Sequence, residues 1–205
     1  MAGHHLKLTR SVNRAFQLYD ETCRRGAKWM IDGDERGPRA PDKRDIAEML
    51  FFEVAAQWEA FSTAAFEEEV KQRYRVKRIT ARHIMGHIDN ESVRGYGSPK
   101  RLVDRAQAML SESSPLVTFQ ANVPQAYDRL FHSYRIRNYL AHTGMGGGRD
   151  GFLDVLNALN VPVAQRRWMS VGRLLLDHRI GGVPLFYVLL RNYVAVADYV
   201  LSRTR

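Results

Sequence analysis

Cysteine is almost absent. Cys23 is the only one, so no intramolecular disulfide can form, and the CxxC clusters of strong structural zinc sites are missing. The fold must then rest on an apolar core, and a reducing, cytoplasmic location fits. An uninterrupted apolar run of about 20 residues is missing too, because the most apolar segment, from Val183, is broken by Arg191, Asn192 and Asp198. Neither a bilayer-spanning helix nor a membrane partner is expected. The opening MAGHHLKLTRSVNR has no apolar h-region or small-residue cleavage site, unlike a signal peptide. Acidic residues are scarce beside basic ones, 22 against 31, which leaves a formal charge of +9. That balance favours polyanionic partners, nucleic acid ahead of an acidic protein or an anionic surface.

Fixed-period repeats are also missing, which argues against a solenoid. So are runs of β-branched residues at period two between turn signals, whereas apolar residues recur at helical spacing almost throughout. The chain therefore reads as all-α. With 205 residues, 45% of them hydrophobic, it has enough material for one core. The expected architecture is a single domain over 1–205, an antiparallel bundle of five to seven helices. Helices are predicted near 6–29, 43–75, 99–111, 123–142, 165–178 and 183–203, with a weaker one near 150–159. Loops are predicted from Asp32, Asp89, Ser111 and Thr143, where Gly, Pro, Ser, Asp and Asn concentrate.

The helix before the glycine-rich TGMGGGRDG segment carries the most informative pattern. At about 100° per residue, Val123, Ala126, Tyr127, Leu130, Tyr134 and Ala141 fall on one stripe, with Arg137 at its centre. A guanidinium where the pattern asks for an apolar side chain must meet an anion, a carboxylate or a phosphate. His142 follows five residues later, about 140° further round. Gly144 offers a C-cap, which puts His142 in the last turn or at the helix end, where its ring is free to act on protons. In the helix over 43–75, Ala47, Leu50, Val54, Trp58, Phe61 and Ala65 share one face. Glu59 lies roughly opposite among Phe52, Ala55, Ala56, Thr63 and Phe66, so that helix is expected to be buried on two sides. A carboxylate in that setting should be paired, and Arg137 or Arg135 is its natural partner.

The segment Arg137-Asn138-Tyr139-Leu140-Ala141-His142 and the upstream AAQWEAF, Ala55 to Phe61, resemble the HEPN superfamily of helical nucleotide-binding domains, in particular its RiboL-PSP-type branch. The resemblance implies a helical bundle that dimerises along the motif helix and brings two copies of Arg137 and His142 into one cleft. Many such proteins are metal-independent endoribonucleases of toxin–antitoxin, antiphage or RNA-processing systems. By resemblance, His142 handles a proton while the 2′-hydroxyl attacks the adjacent phosphate, Arg137 stabilises the charge that develops, and Asn138 positions the backbone. Glu59 supports them, RNA is the substrate, and no cofactor or metal is called for. An antitoxin or other regulatory protein is a further expected partner. One version of the family motif adds a Tyr two residues after the His, modified by a nucleotidyltransferase antitoxin; Gly144 stands there, so this modification is not expected. The alternative is a non-catalytic module that binds RNA, nucleotide or an acidic protein.

Other candidates carry less. Lys71, Arg73, Arg75, Lys77, Arg78 and Arg82, with Tyr74 among them, could form a phosphate-binding strip with one stacking surface, and Arg135 is a further candidate for RNA contact. They could equally be a solvated helix laced by Glu67–Lys71 and Glu69–Arg73 pairs. His83 and His87 have i,i+4 spacing but no HExxH glutamate and no evident third ligand. Gly144 to Gly148 lacks the Lys-Ser/Thr of a P-loop and reads as a flexible loop that frees His142. Arg191-Asn192-Tyr193 echoes the motif without a histidine. Trp29 and Trp168 are expected to pack, and Ser170 and Cys23 have no base nearby to mark a nucleophile.

Overall fold

The computed structural model describes residues 1–23, 27–31, 34–88, 97–142 and 148–203. The chain is all-α, and among these residues the elements are α1 (Ala2–Cys23), α2 (Ala40–Tyr74), α3 (Arg78–Ile88), α4 (Pro99–Met109), α5 (Pro115–Asn122), α6 (Pro124–Ala141), α7 (Arg149–Ala158), α8 (Val163–Arg166), α9 (Val171–Asp177) and α10 (Leu185–Arg203). Two short antiparallel hairpins join them: β1 (Trp29–Ile31) with β2 (Asp34–Arg36), and β3 (Arg179–Ile180) with β4 (Val183–Pro184).

Several boundaries differ from the sequence reading for local reasons. α1 ends at Cys23 rather than near 29, and Trp29, expected at a helix end, begins β1 with its indole N–H donated to the Thr22 carbonyl at 2.9 Å. The long helix stops at Tyr74 because Arg75 turns to φ +52, and α3 starts afresh at Arg78. α5 was not anticipated, yet Ser114 caps it through the Leu116 N–H and Pro115 opens it, a start signal of the usual kind. Val123 caps the end of α5, so α6 begins at Pro124. The expected helix over 165–178 divides into α8 and α9, the second capped by Ser170. The hairpin after α9 turns through Gly181 and Gly182, both at positive φ, the conformation that two-residue hairpin loops favour.

Packing groups the residues into two compact units: Met1–Thr9, Ala55–Tyr134 and Asn192–Arg205 form the first, and Arg10–Val54 with Arg135–Arg191 form the second. The first has Trp58 at its centre, stacked on Tyr193 at 5.5 Å and tilted against Phe61 at 5.6 Å. Buried Glu67 clamps α3 onto α2 by accepting from Arg78 Nε at 2.5 Å and Arg82 Nε at 3.0 Å. A carboxylate shut from water is tolerable when both oxygens are met by cations in this way. Asn192, also buried, donates to the Ala126 carbonyl at 2.9 Å.

The second unit packs Phe16 and Tyr19 of α1 against Phe186 and Tyr187 of α10. α9 is tied to α2 by the Gly172 N–H donated to Glu48 and by Arg44 with Asp177 at 3.2 Å. α10 is long and apolar enough, by length and composition alone, to cross a bilayer, and half of that window is buried within the structure. Leu185, Phe186, Leu189 and Leu190 enter the second unit's core and Tyr193, Val196, Ala197 and Val200 the first's.

His178 follows α9, and burial holds its pKa below the ordinary histidine value; burial acts likewise on His4, helped by the terminal amine, Lys7 and Arg78 and opposed by Glu67. Such groups bind protons more readily in the unfolded chain. Stability conferred by the neutral rings is complete above about pH 6.5 and drains as pH falls towards the depressed folded values. Melting temperature should therefore drop between pH 7 and 5.5, and His178→Gln should flatten the slope; an unchanged slope in that variant would refute the assignment.

Candidate functional site

The C-terminal half of α6 carries the motif, and its residues from Arg135 onward belong to the second unit. The buried line of α6 is Leu130, Ser133 and Ile136, not the stripe that included Tyr134 and Ala141. Tyr134 is half-buried and Ala141 exposed. Arg137 falls between Leu130 and Ser133 around the helix, at the edge of this line's centre, and is half-buried. Ser133 joins this line because its hydroxyl donates to the Arg129 carbonyl at 2.9 Å, one turn back, and so can be buried at little cost.

Arg137 is half-buried with its Nε withdrawn from solvent. One Nη donates to Asn138 Oδ1 at 3.3 Å, and the guanidinium carbon lies 5.4 Å from the centre of the Phe52 ring. Phe52 was expected to be buried on the second side of α2, but 38% of it remains exposed, as Ala56 does, so that side is partly open. An aromatic face near a guanidinium attracts the cation and helps to set where it stands. Sequence reading placed Phe52 beside Glu59 and not beside Arg137, because only the fold brings position 52 to position 137.

His142 lies just past the end of α6 and is exposed. Its backbone N–H still donates to the carbonyls of Asn138, at 3.1 Å, and Tyr139, at 3.3 Å, so its backbone is anchored while its side chain is open to solvent. Gly144 and the rest of 143–147 lie outside the described residues, as does 89–96 of the loop from Asp89.

α7 braces the motif. Gly148 caps α7 at φ +87 and comes so close to the Asn138–Tyr139 backbone that a Cβ would stand 2.9 Å from Tyr139 Cα. One turn on, Phe152 stacks almost parallel on Tyr139, at 4.6 Å and 8°. Arg135 pairs with Asp154 at 3.1 Å. Glu59, in the first unit, places its carboxylate against Gly97, ahead of the α4 N-cap Ser98, where a Cβ on residue 97 would lie 2.7 Å from Oε1. Ser62 and Thr63 both donate to the Glu59 carbonyl.

The basic strip is not one continuous face. Arg75 and Lys77 lie at the break between α2 and α3, Arg78 is held by Glu67, and Lys71 pairs with Glu68 at 2.8 Å rather than with Glu67. Tyr74, offered as a stacking surface, donates its hydroxyl to the Met109 carbonyl at 3.0 Å. Arg73, Arg75 and Lys77 are exposed. Among the described residues no three His, Cys, Asp or Glu side chains gather as a metal site would require. The chain matches no protein-family model, no curated protein and no solved structure.

Proposed function

We propose that this chain is a HEPN-like endoribonuclease that cleaves RNA without a metal, with Arg137, Asn138 and His142 as its reacting and positioning groups. The observation that carries the reading is the division of labour along one helix end: a half-buried guanidinium oriented by Asn138 and Phe52, followed by an exposed histidine on an anchored backbone. Phosphoryl transfer needs a fixed cation for the charge that builds on the phosphate oxygens and a group free to exchange protons. The 2′-oxygen, losing its proton to one His142, bonds to phosphorus as the bond to the 5′-oxygen breaks, and a second imidazole returns a proton to that leaving oxygen. The product is a 2′,3′-cyclic phosphate and a 5′-hydroxyl.

One chain offers one such histidine, so the reaction calls for two copies in a cleft, in a homodimer with an isologous interface. Exposed Met49 and Phe52 on α2, 63% and 38% open, and Leu153 on α7, 37% open, supply apolar surface in the motif's own unit that such an interface would cover. A cytoplasmic setting and control by an antitoxin or regulatory protein, as in a toxin or antiphage effector, belong to the same reading.

Incubating the purified protein with total RNA and with tRNA tests it. New fragments with 2′,3′-cyclic phosphate ends are expected, and EDTA should leave their yield unchanged. Binding with no new termini would overturn the nuclease reading in favour of a regulatory RNA-binding module.

A further inference from the structure

Trp168, expected to pack, stands 68% exposed, against 3% for Trp58 in the core. An indole is the largest apolar surface a side chain can bury, so leaving most of it in water forgoes substantial stabilisation. Its backbone is not loose. The turn after α8 is closed by Trp168 N–H donated to the Gln165 carbonyl at 3.1 Å and Met169 N–H to the Arg166 carbonyl at 3.2 Å. Arg166 locks the turn by donating from Nε to the Val161 carbonyl at 2.8 Å and from Nη1 to Asn157 Oδ1. The indole is thus held outward on a fixed support.

Its surroundings are mostly basic. The Arg167 guanidinium lies 5.0 Å from the Trp168 ring. Between residues 157 and 178 the charged side chains are Arg166, Arg167 and Arg173 against Asp177 alone. Gln165 and Met169, close to the indole in sequence, line a cavity of about 150 Å³ with Asn160, His178 and the Arg173–Asp177 pair, itself joined at 3.5 Å, so hydrogen-bonding groups lie on the same segment. A flat aromatic face, a planar cation stacked on it and neighbouring guanidiniums complement a ligand that alternates π-faces with negative charge. Single-stranded RNA has that character, whereas a duplex hides its base faces.

We infer that Trp168 and Arg167 form a base-stacking platform for single-stranded RNA, a second contact for the strand cleaved at the motif. The inference rests on the proposed function for the identity of the polymer, but not for any of its chemistry.

The test measures binding without cleavage, using the His142→Ala chain and a fluorescein-labelled uridine oligomer followed by anisotropy at fixed salt. Adding Trp168→Ala should weaken binding by about ten- to a hundredfold, and Trp168→Phe should restore most of it. Unlabelled oligomer should quench the indole fluorescence of the His142→Ala chain, since Trp58 is buried and Trp29 is half-buried with its N–H engaged. Equal affinity of Trp168→Ala and its parent would overturn the platform while leaving the nuclease reading intact. Failure of every form to bind the oligomer would overturn both. A blue-shifted indole emission on phosphatidylserine vesicles, with no response to the oligomer, would reassign the surface to membrane.

Discussion

His142→Ala is expected to lower RNA cleavage by about a hundred- to ten-thousandfold, the range that a positioned proton-transfer group supplies. The fold should be untouched, because His142 is exposed and its structural contribution is a backbone N–H that alanine retains. Arg137→Ala should cost about a hundred- to thousandfold, the scale of a lost charge-stabilising donor. Arg137→Lys should recover little, since an ammonium reproduces neither the broad guanidinium near the Phe52 ring nor the forked donor set. Initial rates on an RNA that the wild type cleaves, read beside far-UV circular dichroism and oligomeric state, separate loss of chemistry from loss of fold. Undiminished cleavage in both alanine variants would end the assignment of the motif as a reaction centre.

The all-α class was legible because helical periodicity is dense: Ala47, Leu50, Val54, Trp58, Phe61 and Ala65, one face of α2 by spacing, are all buried. What the pattern misplaced were buried polar residues. Ser133 and Asn192 count as interruptions in a hydropathy reading, yet each satisfies itself on a nearby carbonyl and joins the interior. The apolar stripe drawn for α6 did not include Ser133, which the fold buries beside Leu130 and Ile136. The opposite error befell Trp168, which hydropathy assigns to the core and a tight, arginine-tied turn holds in solvent. The hairpin turn at Gly181 and Gly182 was legible in principle, but strands of two residues give no period to detect.

The motif itself was visible, and so was the placement of His142 at a helix end. Its supports were not. The stacking of Phe152 on Tyr139, the pairing of Asp154 with Arg135 and the approach of Phe52 to Arg137 join residues whose separation in sequence carries no signal. Gly148 was read as the tail of a flexible loop because a run of glycines looks alike at every position. The fold places Gly148 at the start of a helix and against the motif backbone.

Gly148→Ala is accordingly expected to be costly in two ways that can be separated. The φ of +87 is a conformation that L side chains avoid, by about 1–2 kcal/mol. The added Cβ would also meet Tyr139 Cα at 2.9 Å and Tyr139 N at 3.0 Å, and backbone atoms inside a helix cannot step aside as a flexible side-chain end can. The start of α7 must shift, loosening the Phe152–Tyr139 stack. A total of about 2–4 kcal/mol is reasonable, and for a chain of this size each kcal/mol lowers Tm by about 2–4 °C. Gly148→Asn divides the two causes, because asparagine tolerates positive φ better than alanine yet carries the same Cβ. A Tm for Gly148→Asn close to that of Gly148→Ala makes the clash dominant, and a recovery towards wild type makes the dihedral dominant. If both variants melt with the wild type, α7 does not press on Asn138 and Tyr139. If α7 does brace the motif, both lose cleavage more steeply than they lose RNA binding, because a shift of the Asn138–Tyr139 backbone displaces the groups on either side of it that meet the phosphate.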